Sequence, residues 1–373
     1  MIKFHTLFLV GALCSLPLSI KSAQVIAKST KGTPSLSKVD VIGFAPGGVL
    51  LIGDGAKQQI VAVKTGDRAR PGKKFKEIKG FAGEVAGRLG VGTKDVALLD
   101  MAVNPDSGRL YVVARRQDTK AYVFVTVSPT GEIAQFDLED VHYAQVPLPK
   151  GDSTPVSLVT DLAWAGDRLV AAARCNEEFR SKIFATEGSL VHGKSGQLAT
   201  AESYHVSHRK WETKAPMSVL IPFEENGEHY IIGAFSCTPV VKYPVSDIKP
   251  GGKVKGISMI ELGSGNRPLD MFAYSKNGKA SVLANTLRFH HKRKPFGPSP
   301  YWAARFDRDL LAGDDQVNEK ATRRLKGYEP ITEKIELVEA FHGVTQMDRL
   351  NDDSAIAWRK TEKDVDLVVL PLP

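Results

Sequence analysis

Two histidines of the chain have the spacing of a metal-binding pair. His205 and His208 are three residues apart, so a helical turn would bring both imidazoles to one side. Neutral imidazole is a good ligand for copper and zinc. We expect His342 on the same face as a third ligand, with Cys237 and Met347 as soft groups nearby. The spacing alone is weak, because such pairs are more often exposed or simply hydrogen-bonded.

Aspartates recur at one place in a repeated pattern, near the start of an apolar strand. The five are Asp40, Asp100, Asp161, Asp270 and Asp348. Carboxylates that converge from several repeats could hold a hard cation through oxygen ligands. Alternatively, each could accept backbone N–H bonds from the loop before it and act as a brace. We favour the brace for most of them.

A second set of polar residues lies on the loops that follow the second apolar strand of a repeat or that lead into the first strand of the next repeat. Its candidate ligand-binding members are Arg115, Asn176, Glu177, Arg267, Asn285 and Arg288. Guanidinium forks suit carboxylate or phosphate, which favours a small anionic ligand. The alternative is a set of salt bridges between repeats, with Glu177 paired to Arg267 or Arg288.

Six short turns reveal the elements that must position these side chains. Each is rich in Gly, Asn or Asp and is followed by an apolar strand. The turns lie at 45–48, 105–108, 166–167, 225–228, 276–279 and 351–353. Hairpin units that recur every 50–75 residues or so cannot bury their faces alone and must stack. We therefore predict an all-β fold over 24–373, a six-bladed β-propeller with four-stranded antiparallel blades.

The propeller fold predicts where the chemistry lies. The first strand of each blade would line the central channel, and the long loops would share the face opposite the short turns. Binding sites usually sit on such loops. The segment 176–213 is long enough to hide a seventh blade. We expect the last strand, 365–370, to close the ring against an N-terminal segment.

The repeat pattern of 24–373 resembles that of exported bacterial six-bladed propellers, loosely the sugar-lactone lactonase and strictosidine-synthase-like proteins. The resemblance implies one divalent metal such as Ca²⁺ at the channel mouth, where it would polarise a carbonyl for hydrolysis or lactone opening. Side chains similar in type and placement to the ligands of that family are Asn176, Asn266, Asp270 and Asn285, with Asp54 as an acid from the first blade.

The N-terminal residues 1–23 have the pattern of a secretory signal peptide. Lys3 precedes an apolar core of signal length, and small residues follow it. We therefore expect a secreted or periplasmic protein with no membrane span in the mature chain. Two cysteines remain after cleavage, Cys175 and Cys237. In an exported protein they predict one disulfide, because each follows a strand at the equivalent point of neighbouring repeats.

Charge and missing motifs exclude several functions. The formal net charge is +8, but the one dense basic run, 290–294, lacks interleaved aromatic residues, so no nucleic acid is expected. The sequence has no Gly-x-Ser-x-Gly elbow, phosphate-binding loop or Cys-x-x-Cys motif.

No complete catalytic set emerges from these motifs. The sequence therefore favours a binding or scaffold protein that recognises a protein partner or a small anionic ligand on its long-loop face. Two alternatives stay open. One is a lactonase- or esterase-like hydrolase with a cation at the channel mouth, bound by Asp54, Asn266 and Asp270. The other is a copper-dependent oxidase that uses His205, His208 and His342 as metal ligands. Zinc is the alternative metal for the same three histidines.

Overall fold

The computed structural model describes residues 24–68, 74–263, 265–293, 297–313 and 334–373. The predicted signal peptide, residues 1–23, and its boundary with the predicted domain lie outside the described residues. Within the described ranges the chain is mostly strand, with one α-helix, α1 (Phe81–Arg88), and several short 3-10 turns. None of the helices in these ranges is long and apolar enough to cross a bilayer.

Short strands rich in β-branched residues run through the chain. The first ten are β1 (Ile26–Lys28), β2 (Thr30–Gly32), β3 (Val41–Ala45), β4 (Val49–Asp54), β5 (Gln59–Lys64), β6 (Val96–Val103), β7 (Leu110–Arg116), β8 (Tyr122–Val127), β9 (Ile133–Phe136) and β10 (Val141–Pro147). The next eleven are β11 (Val156–Ala165), β12 (Arg168–Cys175), β13 (Ser181–Ala185), β14 (Leu190–Val191), β15 (Gln197–His205), β16 (Lys210–Glu212), β17 (Met217–Glu225), β18 (Glu228–Phe235), β19 (Pro239–Pro244), β20 (Lys253–Lys255) and β21 (Ile257–Glu261). The last seven are β22 (Asn266–Lys276), β23 (Lys279–Arg288), β24 (Tyr301–Asp307), β25 (Glu336–Val338), β26 (Val344–Arg349), β27 (Ser354–Lys360) and β28 (Val365–Pro371).

The strands form six small antiparallel sheets arranged in a ring, so the predicted six-bladed β-propeller is confirmed. We number the blades in chain order. Blade 1 is built on β3, β4, β5 and β10, blade 2 on β6–β9, and blade 3 on β11, β12, β13 and β15. Blade 4 is built on β17, β18, β19 and β21, blade 5 on β22–β25, and blade 6 on β26–β28.

The core lies between neighbouring blades. The second strand of a blade is covered on both sides, which is why it is a continuous apolar run rather than an alternating one. All six residues of Val49–Asp54 are buried, for example. Two of the predicted turns are tight hairpins with positive φ at both central residues. These are Asn226-Gly227, with φ of 54° and 80°, and Asn277-Gly278, with φ of 51° and 76°.

The order of the blades around the ring differs from their order in the chain. Blade 1 contacts blade 3 on one side and blade 2 on the other, and blade 2 contacts blade 6. The chain builds three strands of blade 1, leaves to form all of blade 2, and returns as β10 to complete blade 1. The ring therefore runs 2–1–3–4–5–6 and back to 2.

The expected closure of the ring against the N-terminal segment is wrong. β28 is covered by the chain before blade 2, where Ile78 and Leu367 exchange both backbone hydrogen bonds, at 2.9 and 2.8 Å. The N-terminal strands go elsewhere, β1 to β14 and β2 to β10. The segment 176–213 forms β13, β15 and β16, which complete and extend blade 3, and β14, which pairs with β1. It makes no seventh blade.

Candidate functional site

The channel aspartates clamp five of the six blades to a neighbouring blade. In each of five blades, one carboxylate oxygen accepts a backbone N–H from the first strand of the next blade. The acceptor and donor pairs are Asp100 with Ile42 at 2.6 Å, Asp40 with Val159 at 3.0 Å, Asp161 with Leu220 at 2.7 Å, Asp270 with Met347 at 2.9 Å, and Asp348 with Val103 at 2.7 Å. The predicted bracing role is therefore supported, but the donor belongs to another blade and not to the preceding loop.

All five clamps point the same way around the ring, from blade 2 to 1 to 3 to 4 and from blade 5 to 6 to 2. A register shift just before Asp100, Asp161 and Asp270 turns each of these side chains toward the next blade. Blade 4 has the same shift, but Val219 follows it there. The junction from blade 4 to blade 5 therefore lacks an aspartate clamp.

The clamps line a channel cavity of about 420 Å³. Burial raises the pKa of Asp100 to about 8, of Asp161 to about 7 and of Asp348 to about 6. Burial, followed by the nearby charge of Asp100, raises the pKa of Asp270 well above its usual value. The Gln346 amide donates to both Asp100 and Asp270. At neutral pH part of this ring holds protons.

The hard-cation candidates Asp54, Asn266 and Asp270 are not brought together. Asp54 is fully buried at the end of β4, where it accepts the Ser37 N–H at 2.8 Å and the Lys57 N–H at 3.1 Å. The Asn266 amide donates to the Leu262 carbonyl at 2.7 Å. Of the three, only Asp270 faces the channel, and one of its oxygens is a clamp.

Two members of the second polar set, which we call the polar rim, already have partners within the protein. Glu177 pairs with Lys182 at 2.6 Å, in place of the arginines expected from sequence, and accepts N–H bonds from Ser153 and Thr154. Although burial opposes it, the Lys182 contact lowers the pKa of Glu177 to about 2. Asn285 accepts the Asp270 N–H at 2.7 Å. These contacts fix loops and blade junctions.

The remaining rim residues come from three blades, blades 2, 3 and 5. Arg115 lies over the Tyr122 ring and donates to the Lys120 carbonyl. Asn176 and Arg267 are exposed. Arg288 is buried, and burial lowers its pKa.

The predicted disulfide is not formed, and both Cys175 and Cys237 are free thiols. Cys175 is buried in the core of blade 3 at the end of β12, beside Gly151. Cys237 follows β18 of blade 4 and belongs to a different cluster. The equivalent positions in two blades therefore turn their thiols into different surroundings.

The cluster around Cys237 contains the predicted histidine pair. One donor atom from each of His205, His208, Glu212 and Cys237 can be chosen so that all four lie within 4.8 Å of one another. β15 ends at His205, a 3-10 turn carries His208, and β16 ends at Glu212. Cys237 comes from the loop after β18 of the next blade. The four residues therefore meet between blades 3 and 4, on the face of the loops that follow second strands.

His205 is the buried centre of this cluster. Its Nδ1 lies 3.6 Å from Glu212 Oε2, and its Nε2 lies 3.5 Å from Oε2 of Glu261, at the end of β21. Burial by itself would lower the pKa of His205, but Cys237 and the two carboxylates raise it to about 11. The same imidazolium lowers the pKa of Glu212 to about 2 against the effect of burial. The metal-free cluster thus holds a charged histidine between two carboxylates.

The third histidine of the sequence prediction lies elsewhere. His342 packs against Gly297 at the start of blade 6, and Met347 lines the central channel. Cys237 is the soft group that does join the pair. Glu212 and Glu261 were missed, although Glu212 extends the pattern to His-x-x-His-x-x-x-Glu and could have been noticed. Glu261 carries no comparable sequence signal.

Backbone strain accompanies the thiol. Thr238, directly after Cys237, has a φ of 79°, which is rare for a β-branched residue. Such outliers persist where the surrounding structure over-determines them, and they cluster at functional sites. The donor set of two imidazoles, a thiol and a carboxylate suits zinc or copper and does not suit calcium.

Comparisons with known proteins assign the chain to no family. No protein-family model matches the sequence, and no curated protein matches it. Among solved structures, the PQQ-bound aldose sugar dehydrogenase of Streptomyces coelicolor is 15% identical, covers 93% of this chain and 99% of its own, and has a TM-score of 0.32. A Trypanosoma rangeli sialidase complex is 11% identical, covers 93% and 54%, and has a TM-score of 0.37. At these values neither carries an argument about the fold or the function of this chain.

Proposed function

We propose that this propeller is a zinc-dependent hydrolase whose metal is bound by His205, His208 and Cys237, with Glu212 beside it. The observation that carries the proposal is the convergence of four donors within 4.8 Å from two blades. The predicted signal peptide supports a place outside the cytoplasm, secreted or periplasmic, for the mature protein.

The choice of metal rests on the donor types. Thiolate and imidazole are soft or borderline ligands, and together with one carboxylate they match zinc best. The hard-cation alternative has no comparable cluster among the described residues. Copper is the nearest competitor, because two histidines and a cysteine also form copper sites.

The hydrolytic assignment rests on the exposure of the cluster. His205 and Glu212 are buried, whereas His208 is exposed and Cys237 is half-buried, so one side faces solvent. Three protein ligands plus an open position is the pattern of catalytic zinc sites. Zinc would supply Lewis-acid activation there. Glu212 Oε1 accepts N–H bonds from Lys214 and Ala215, which leaves Oε2 to take a proton from attacking water.

The rim-binding hypothesis has less support. Glu177 and Asn285 already have partners within the protein. No single contact on the rim has the convergence seen in the histidine cluster.

The first experiment is elemental analysis of protein purified without a chelator, together with the variants His208→Ala and His342→Ala. We expect about one equivalent of zinc in the wild type and in His342→Ala, whose side chain lies outside the cluster. We expect His208→Ala to lose most of it. Hydrolysis of ester and lactone substrates should follow zinc content across the three proteins.

The competing outcomes are distinct. Copper in place of zinc, with the intense colour of a copper–thiolate bond, would assign the site to redox chemistry. Zinc without any hydrolysis would make the centre a structural link between blades. Protein that takes up neither metal, even when metal is added, would overturn the proposal.

A further inference from the structure

We propose that His205 binds the metal through Nδ1, and that Glu261 is the positioning residue that makes this so by accepting the Nε2–H. The inference rests on the proposed zinc site and adds to it a residue from outside the donor cluster. It also fixes which side of the His205 ring faces the metal.

The two nitrogens of His205 have different surroundings. Nε2 lies 3.5 Å from Glu261 Oε2, and Glu261 is 2% exposed at the end of β21. A buried carboxylate that already accepts hydrogen bonds from its neighbours has no proton to donate to the lone pair of an unprotonated ring nitrogen. It can only receive a proton from the ring. A neutral imidazole has one N–H and one lone pair, so a proton kept on Nε2 leaves the lone pair on Nδ1.

The Nδ1 side has the features of the metal side. Nδ1 is buried and, within the part of the chain that the structure describes, makes no hydrogen bond of normal length. Its nearest carboxylate oxygen is Glu212 Oε2 at 3.6 Å, and Glu212 is itself one of the four clustered donors. Such a spacing leaves room for an ion bonded to Nδ1 beside the free Glu212 oxygen, since zinc–ligand bonds are about 2.0–2.3 Å.

Glu261 also holds the turn that carries the second histidine. It accepts the Ser207 backbone N–H at 3.1 Å and the Ser207 hydroxyl. Ser207 lies between the two histidines, so one carboxylate from blade 4 fixes both the ring of His205 and the turn that presents His208. Carboxylates in this outer position orient metal-binding histidines, and their loss typically costs 10- to 100-fold in metal affinity.

The variant test is Glu261→Gln, compared with Glu225→Gln as a matched control in the same blade. Glu225 pairs with Lys242 at 2.7 Å and is not part of the histidine cluster. We expect zinc affinity, measured by competition with a chromogenic chelator, to fall about 10- to 100-fold in Glu261→Gln and to stay unchanged in Glu225→Gln.

The second test uses the wild type, so it does not depend on how a variant folds. Long-range ¹H–¹⁵N correlation spectra of zinc-loaded protein with labelled histidine show which nitrogen of His205 carries the proton. We expect a protonated Nε2 and a metal-bound Nδ1. A metal-bound Nε2, or unchanged affinity in Glu261→Gln, overturns this inference alone. A wild type that binds no zinc overturns the proposed function with it.

Discussion

Asp161 illustrates how one side chain serves two strands. Its Oδ1 accepts the N–H of Leu162 in its own strand at 2.8 Å, and its Oδ2 accepts the N–H of Leu220 in blade 4 at 2.7 Å. We expect Asp161→Ala to reduce the free energy of unfolding by about 1–3 kcal/mol, because a backbone donor loses its acceptor in a buried place. Urea denaturation measures this loss.

Asp161→Asn is the matched control. Its amide oxygen can still accept the Leu220 N–H, so it should cost clearly less than the alanine variant. Equal losses in the two variants would show that the carboxylate charge, and not the clamp, matters at this position.

The aspartates and the histidine pair could be found from sequence, because residue type and spacing are visible there. Their partners could not. Asp161 bonds to Leu220, 59 residues away, and that pairing depends on which blades become neighbours. His342 was expected beside His205 because both enter loops of one face, yet blade 6 does not adjoin blade 3 in the ring. A shared face does not imply contact.

At the scale of elements, the ring is closed by an internal segment of the chain and not by its N-terminal strands. The segment before blade 2 supplies Ile78 to β28, and α1 follows it immediately. Asp364 accepts the N–H groups of Ala82 and Gly83 at 3.2 Å each, so the first turn of α1 is bound to blade 6. The sequence gives turns and strands from local patterns. It does not reveal this closure, because the two partners are nearly 290 residues apart.

Ile78→Pro tests the closure. Proline cannot donate the N–H that Leu367 O accepts at 2.9 Å. One net hydrogen bond is worth about 1 kcal/mol, so we expect backbone amides of β28 to exchange with solvent roughly five- to ten-fold faster, as native-state hydrogen exchange would measure.

Ile78→Ala keeps both backbone bonds and serves as the control. Its β28 amides should exchange at nearly the wild-type rate. If both variants exchange faster to the same extent, the side chain of Ile78 and not the backbone bridge holds the closure. If neither exchanges faster than the wild type, β28 is secured mainly by the packing of α1 on it.

At the scale of the whole molecule, the channel carboxylates set an unusual dependence on pH. Four of them have a pKa raised by burial: to about 8, 7 and 6 for Asp100, Asp161 and Asp348, and well above 3.8 for Asp270. Between pH 4 and 8 the folded state therefore binds more protons than the unfolded state. Stability then falls as pH rises through that window, which is the reverse of the usual carboxylate behaviour.

A lowered pKa acts in the opposite sense at lower pH. The Lys182 contact holds the pKa of Glu177 at about 2, below its ordinary 4.5, so its contribution is present above pH 4.5 and is lost as pH falls toward 2. The two effects together place the most stable condition of the metal-free protein at about pH 4–5.

The melting temperature of metal-free protein at constant ionic strength, measured from pH 3 to 9 with a chelator present, checks this expectation. It should decline steadily from about pH 5 to 8. Asp161→Asn removes one of the raised carboxyls but keeps the acceptor of the clamp, so its decline should be shallower between pH 4 and 7. A wild type that becomes more stable toward pH 8, or a variant curve parallel to it, would mean that the ring stays charged. Its carboxylates would then be stabilised by something other than their backbone donors.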